Sequence, residues 1–406
     1  MRGNWCVPSQ LLVRTPKGGN KPTNLLHGTS IFDVRLKLPA NEDVDVLEGL
    51  RVMDLEAAII ACPPAYYAAK PGEVQIALSM ISDPSKLLRK LLAGSHSKVA
   101  GRLAGSFRAI GREKTAKTIL DTMRAAGYTV QEQNPFDEAP GVTFGVREVS
   151  PFVNRLRLTW EKFREDILLH FPKAPEEAIN PEELLRKIDE IYTTDAYHSL
   201  SIEGYRVSAE LIDQVRSGNW NPEGSGEDKE HANGLAARGY WQAFQSVKKT
   251  IRESINGKDA ASAAEDDFQD WYRALFGPSV AAGIIEAADL AGYRNRPVYI
   301  RRSMHSPPNS VAVLDLMSAY FEHLRNEQSP EVRAVLAHFI FVYIHPYVDG
   351  NGRMGRFLMN LMLCTSGYSW LVIPVEQRNE YMESLEAASV HQDIVPFTKF
   401  LASLMT

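Results

Sequence analysis

Cysteine is scarce. Cys6, Cys62 and Cys364 are the three in 406 residues, odd in number and without metal-ligand spacing. That argues against a disulfide framework and fits a reducing compartment. Long apolar runs are missing too: no window reaches the length of a membrane span, and the opening Met1-Arg-Gly-Asn-Trp-Cys-Val-Pro carries no apolar signal core. The expectation is a cytoplasmic protein with no membrane partner. Nor is there an excess of positive charge. With a net charge of −5, the molecule as a whole exerts no pull on nucleic acid or an anionic membrane. What is present, 44% hydrophobic and 23% charged residues over 406 positions, suits a globular protein of two or three domains.

Residues 1 to about 150 read as a separate N-terminal domain, α+β or mostly helical. Alternation in Ile31-Phe-Asp-Val-Arg-Leu-Lys-Leu38 predicts a strand. From Val46 to Gly127 the pattern is helical, broken at Pro63-Pro64, Pro71-Gly72 and Asp83-Pro84. Between Lys86 and Lys117 nine Lys/Arg stand against one acid, Glu113. This segment reads first as a solvated helix face and second as a nucleic-acid surface. It loosely resembles helical regions of abortive-infection antitoxins and related winged-helix regulators, so a regulatory or target-binding role stays open. Gln131 to Arg147, rich in Pro, Gly and acid, reads as a linker.

Residues 151–285 read as a helical region. Phe152–Phe171 repeats apolar residues at helical spacing, and Asn180-Pro181-Glu-Glu starts a further helix. Then comes Tyr197-His-Ser199-Leu-Ser201-Ile202-Glu203-Gly204, where Gly204 suits a C-terminal cap and Ser208 the N-cap of a helix ending near Gly218. Asn221–Asp228 is a turn-rich loop. Gly234–Arg252 and Asp266–Phe276 predict amphipathic helices whose aromatics, Tyr240, Trp241, Phe244, Phe268, Trp271 and Tyr272, read as core and not as a base-stacking platform. Between about 292 and 309, β-prone residues among Pro and Arg suggest a hairpin-like flap. Glu376–Ser389 predicts another helix, and Pro396 opens a last one.

The chemistry concentrates in His345-Pro-Tyr-Val-Asp349-Gly350-Asn351-Gly352-Arg353-Met-Gly355-Arg356. The apolar run Val332–Ile344 predicts a buried helix that Pro346 stops near His345. A second helix follows, with Gly367 as its cap. Gly350 and Gly352 can take backbone angles that side chains forbid, letting N–H groups converge on an anion at the second helix's positive end. Arg353 and Arg356 lie three apart on that helix. Asp349 offers a hard oxygen of the kind Mg²⁺ accepts beside phosphates. His345 at the loop's mouth is suited to taking a proton from a hydroxyl. The reading is phosphate chemistry with a hydroxyl nucleophile.

This stretch resembles the signature of the Fic family, and the similarity runs from roughly Tyr192 to Phe400, with Tyr347 where the family usually has Phe. The resemblance implies a mainly α fold: a helical core with a small β-hairpin flap, the catalytic core lying in 286–406. It implies a protein adenylyltransferase that moves AMP from ATP to a Ser, Thr or Tyr hydroxyl. His345, Asn351 and Arg353 are then catalytic, and Asp349 holds Mg²⁺. Val298, Gly350, Asn351, Gly352, Arg353, Gly355, Arg356 and Tyr381 bind nucleotide. Ser199, Glu203 and Gly204, ending an inhibitory helix of about 192–204, match the family's autoinhibitory pattern, with Glu203 expected to form a bidentate pair with Arg356. The partners implied are ATP and a protein target laid along the flap, with homo-oligomer formation open. Met382 and Ser389 depart from the Tyr and Asn that relatives place against adenosine. The alternatives are a DNA-binding regulator with a nucleotide-sensing module, a Fic enzyme using another donor, and removal of AMP.

Overall fold

The computed structural model describes residues 8–47, 49–136, 150–175, 180–221, 228–285 and 292–405. Cys6, most of the linker at 131–147 and most of the loop at 221–228 lie outside them. The chain divides into two units, Met1–Glu161 and Lys162–Thr406.

In the first unit, β1 (Gln10–Thr15), β2 (Pro22–Asn24) and β3 (Ser30–Arg35) form a sheet of order β1-β3-β2. β1 runs parallel to β3 and β2 antiparallel. β4 (Val44–Leu47) and β5 (Leu50–Met53) pair as a hairpin where the sequence suggested helix from Val46. Gly49, at φ +80°, supplies the left-handed turn that brings these strands together. Six helices follow: α1 (Leu55–Ala61), α2 (Pro64–Ala69), α3 (Pro71–Ser79), α4 (Ser85–Ala93), α5 (Ser97–Ala109) and α6 (Glu113–Ala125). They bury Tyr67, Leu87, Leu103, Phe107 and Ile119 in a common core.

Part of the basic stretch is engaged within this unit, although only Arg112 of its nine cations is buried. Asp54 caps α1 through the Ala57 N–H at 2.7 Å and also receives Lys86 at 3.2 Å and Lys90 at 3.0 Å. Arg102 donates to the Cys62 carbonyl and lies over the Tyr67 ring. Arg108 pairs with Glu132 and Glu113. Arg112, 1% exposed, donates to the carbonyls of Leu78, Ser79 and Ile81. Five of the nine cations are thus fastened to the unit itself.

Helix α7 (Pro151–His170) contains the boundary after Glu161. The second unit continues with α8 (Pro181–Ile202), α9 (Ala209–Arg216), α10 (Asp228–Ile255), α11 (Ala260–Ala281), α12 (Val313–Asn326), α13 (Pro330–Ile344), α14 (Asn351–Thr365), α15 (Arg378–His391) and α16 (Val395–Ser403). The capping chemistry is as the sequence indicates. The Asn180 side chain accepts from Glu182 and Glu183, and Ser208 accepts from Leu211. Gly204 at φ +93° and Gly367 at φ +97° end α8 and α14. The fold is mainly α. Tyr240, Phe244, Phe268, Trp271 and Tyr272 are buried, as core aromatics should be. Helix α13 is covered on nearly every side: from Glu331 to Ile344 only Arg333 and Val342 are not fully buried.

The flap departs from expectation. Residues 292–309 form no strand. A turn is present, with Arg302 at φ +63° and the Ser303 N–H on the Ile300 carbonyl at 3.2 Å, but no ladder pairs its arms. Pro297, Pro307 and Pro308 remove the donors that such a ladder would need.

Candidate active site

Helix α13 ends at Ile344 and His345 caps it in the left-handed region, φ 52° and ψ 59°. Pro346 disfavours helical geometry at the preceding residue, so the chain turns out there. The His345 Nδ1 donates to the Val342 carbonyl at 3.2 Å, which fixes the tautomer and leaves Nε2 as the basic nitrogen. Burial, with a smaller push from Arg294, lowers the imidazole's pKa, while the Val342 carbonyl, Glu203 and Asp349 oppose that shift.

Five residues later Gly350 opens α14 at φ +82°. A side chain here would be strained and would also meet the Phe276 ring, 2.7 Å from an ideal Cβ. Gly352 is glycine for a different reason. It lies within the helix, and a Cβ would stand 2.4 Å from Glu203 Oε1. Only Gly350 carries the backbone freedom expected of both; Gly352 supplies space. The first N–H groups of α14 have no acceptor within the helix and carry its positive dipole end.

Tyr347 packs inward, stacked on Tyr272 at 3.7 Å between centroids and 8° between planes. Asn351 faces inward as well. Its Oδ1 accepts the Tyr347 N–H at 3.0 Å and its Nδ2 donates to the Tyr347 carbonyl at 2.9 Å. Both ends of the amide are committed to the loop backbone, so the side chain shapes the loop instead of contacting phosphate. Asp349, with a side chain 64% exposed, accepts the Gly350 N–H at 2.6 Å and faces Arg353 Nη2 at 3.4 Å. Arg353 is buried between the Tyr205 and Phe276 rings, 5.3 Å and 4.9 Å from its guanidinium carbon.

Arg356 is 3% exposed. Its Nε donates to Ser199 Oγ at 2.9 Å, and its Nη2 donates to the Ser199 carbonyl at 3.1 Å and to Glu203 Oε1 at 2.8 Å. The pair with Glu203 therefore uses one nitrogen and is not bidentate; Nη1 has no hydrogen-bond partner among the described residues. Burial disfavours an ionised Glu203, yet Arg356, Arg353 and Arg378 hold its carboxyl below the ordinary value. Behind Ser199, buried Asp195 accepts from the Tyr240 hydroxyl at 2.6 Å and from Trp370 Nε1 at 3.0 Å. Burial pushes its carboxyl up to about 6.

Three residues expected to contact nucleotide have other neighbours here. Gly355 lies at the α13–α14 crossing, where a Cβ would be 2.9 Å from Val342 Cγ1. Tyr381 is 1% exposed, with its hydroxyl 2.8 Å from His338 Nε2, and is a core residue. Val298 is half-buried on the flap beside exposed Tyr299. Three arginine and acid roles had no local signal in the sequence: Arg378, which donates to the Ile202 carbonyl beside Glu203, Asp195, and Arg294. Each is defined by a distant partner.

One carboxylate, Asp349, is open at the loop, and among the described residues no group of three or more His, Cys, Asp or Glu could hold a metal. A single exposed carboxylate beside a phosphate cradle fits Mg²⁺, which keeps most of its waters and takes its other ligands from phosphate oxygens.

Residues 262–363 match the Fic/DOC family model. A protein adenylyltransferase Fic from Drosophila yakuba is 30% identical over 223 residues, covering 54% of this chain and 41% of that protein. The one from Drosophila mojavensis is 31% identical over the same length and shares. The matched stretch thus spans about two fifths of these relatives. Among solved structures, Fic-1 (residues 134–508) from C. elegans is similar with 18% identity and a TM-score of 0.46, covering 86% of this chain and 88% of that one. Residues 262–363 thus carry the sequence pattern of the Fic/DOC family.

Proposed function

We propose that the chain is a protein adenylyltransferase that transfers AMP from ATP to a Ser, Thr or Tyr hydroxyl of a protein, held back by its own Glu203. The observation that carries this reading is the place of the Glu203 carboxylate. It stands against Arg356 Nη2 and over the bare face of Gly352, at the first turn of α14, where a phosphate oxygen would be drawn by the same charges. The name borne by the Drosophila relatives points the same way.

His345 Nε2 takes the proton of the attacking hydroxyl as the O–P bond forms at the α-phosphorus and pyrophosphate leaves. The N–H groups of Asn351 and Gly352 face the α-phosphate, and Arg353 and Arg356 orient the β- and γ-phosphates. Asp349 would hold Mg²⁺, which when bound neutralises phosphate charge. Asn351 keeps Tyr347 and the loop in shape. Positioning and electrostatics carry such a transfer, since the protein forms no bond itself. While Glu203 holds Nη2, the γ-phosphate lacks its arginine and the α-phosphate sits out of line. The regulator reading has less support, because most of the basic segment is engaged within its own unit.

Two ATP samples, labelled at the α- or the γ-phosphate, decide the matter when mixed with Mg²⁺, candidate protein and either the native chain or Glu203→Gly. Transfer of α-label alone, stronger in Glu203→Gly, is expected. Transfer of γ-label would make this a kinase, and label from neither would overturn the reading.

A further inference from the structure

The end of helix α13 is closed by the flap. The last four carbonyls of a helix lack intrahelical donors. Here each finds one. The Phe341 carbonyl takes the His345 N–H at 3.0 Å, and the Val342 carbonyl takes His345 Nδ1 at 3.2 Å. The Tyr343 carbonyl accepts from His305 Nε2 at 2.8 Å, and the Ile344 carbonyl from Arg294 Nη2 at 3.3 Å. Past the helix, the His345 carbonyl takes Arg294 Nε at 2.7 Å, and the Pro346 carbonyl takes the Arg294 N–H at 2.8 Å.

Arg294 also reaches its own segment. Nη1 donates to the Arg296 carbonyl at 3.2 Å and Nη2 to the Pro308 carbonyl at 2.5 Å. The guanidinium is 5% exposed and all its acceptors are carbonyls. Among the described residues no carboxylate pairs with it, and the C-terminal end of α13 supplies negative potential to the buried charge. The far arm of the flap is tied down separately, with Glu386 accepting the Met304 N–H at 2.7 Å and the Ser303 hydroxyl.

His345 holds left-handed angles as a non-glycine residue, a strain that persists only where the surroundings over-determine it. Its N–H is held by the Phe341 carbonyl, while its own carbonyl and those of Ile344 and Pro346 on either side are all held by Arg294.

From this geometry we infer that Arg294 is the positioning residue for His345, and that through it the flap and the catalytic loop form one mechanical unit. A peptide laid along the flap bears on the same guanidinium that sets the direction of the imidazole. This rests on the proposed transfer reaction for its kinetic consequence, though not for its geometric one.

The test uses the full chain carrying Glu203→Gly, with Arg294→Met or Arg294→Lys added. Three readouts are needed: kcat and KM for α-label transfer, ATP affinity by calorimetry, and the ¹⁵N signals of the His345 ring. Arg294→Met is expected to lower kcat by at least about tenfold, the scale of a misplaced reacting group, with ATP affinity within about twofold. Its His345 signals should lose the single Nδ1–H tautomer. Arg294→Lys keeps the charge but reaches fewer carbonyls, and should recover part of kcat. The inference is overturned if Arg294→Met keeps kcat within about twofold, loses ATP affinity in step with kcat, or leaves the His345 signals unaltered. Should Arg294→Met not fold, the same criteria apply to Arg294→Lys, whose kcat must then fall while ATP binding holds. If the Glu203→Gly parent itself transfers no label, the adenylyl reading fails, and the His345 signals still decide whether Arg294 positions the ring.

Discussion

Arg356 gives Glu203 one nitrogen and keeps another without a partner: Nη2 lies 2.8 Å from Oε1, while Nη1 has no hydrogen-bond partner among the described residues. A buried N–H left unmet is unfavourable by about 1–3 kcal/mol, so a group that met both nitrogens would hold Arg356 more tightly than the one-pronged carboxylate does.

Glu203→Gln should therefore release the enzyme in part. The amide keeps a neutral hydrogen bond to Arg356 and loses the ionic component, a difference of about 1–2 kcal/mol. Transfer of α-label is expected to rise about five- to thirtyfold, without exceeding that of Glu203→Gly. Equal rates for Glu203→Gln and the native chain would show that the charge at Glu203 is not what holds Arg356.

The pH dependence has a definite sign. The folded-state pKa of Glu203 is depressed by its arginines against the pull of burial, so the closed pair is fully present above the ordinary carboxylate range and is lost only as pH falls through that depressed value. Mild acid will not open it. His345 is also shifted down, chiefly by burial, so its neutral, basic form persists below the ordinary histidine range. In Glu203→Gly, the acid limb of kcat/KM against pH should have its midpoint below about 6.5. A midpoint above that value would contradict the buried-base assignment.

Gly350→Ala should destabilise the second unit and abolish transfer together. The substitution forces a side chain into φ +82° and against the Phe276 ring, with strain of about 1–2 kcal/mol from the backbone alone. Thermal unfolding checks this, and an unchanged midpoint would mean that the loop relaxes freely.

Arg112→Ala should lower the stability of the first unit by about 2–4 kcal/mol, since it leaves buried carbonyls of Leu78, Ser79 and Ile81 without their donor. Neutralising Lys86 and Lys90 should likewise loosen the attachment of α4 to Asp54. Urea titration of the residue 1–161 region, followed by a local probe, reads both. If these variants kept native stability and instead abolished a salt-dependent affinity for DNA, the regulator reading would return.

What the sequence reveals here is local. Asn180, Ser208 and Gly204 announce helix ends because a cap is made by neighbours in the chain, and the structure places the ends there. The break at Pro346 and the apolar run before it likewise foretell α13 and the loop. Long-range choices are not written in any window. Gly352 looks like a second flexible glycine until the Glu203 carboxylate is seen above it. Asn351 looks like a ligand until its amide is found closing on Tyr347. The Tyr381 ring could face a base or a core, and only its partner on another helix, His338, shows it buried. Arg294 is one arginine among several in its segment, and only the end of α13 distinguishes it.

The burial of α13 has a consequence for how the molecule breathes. Amides in a helix walled in on nearly every side exchange with deuterium only through openings close to global unfolding, so α13 should be among the last segments to exchange. Glu203 sits at the C-terminal end of α8 next to Gly204, where the last turn has fewer helical bonds to lose. Under the proposed roles, the base hangs from the slower element to open and the carboxylate from the faster one, so exchange at the end of α8 should outpace exchange along α13.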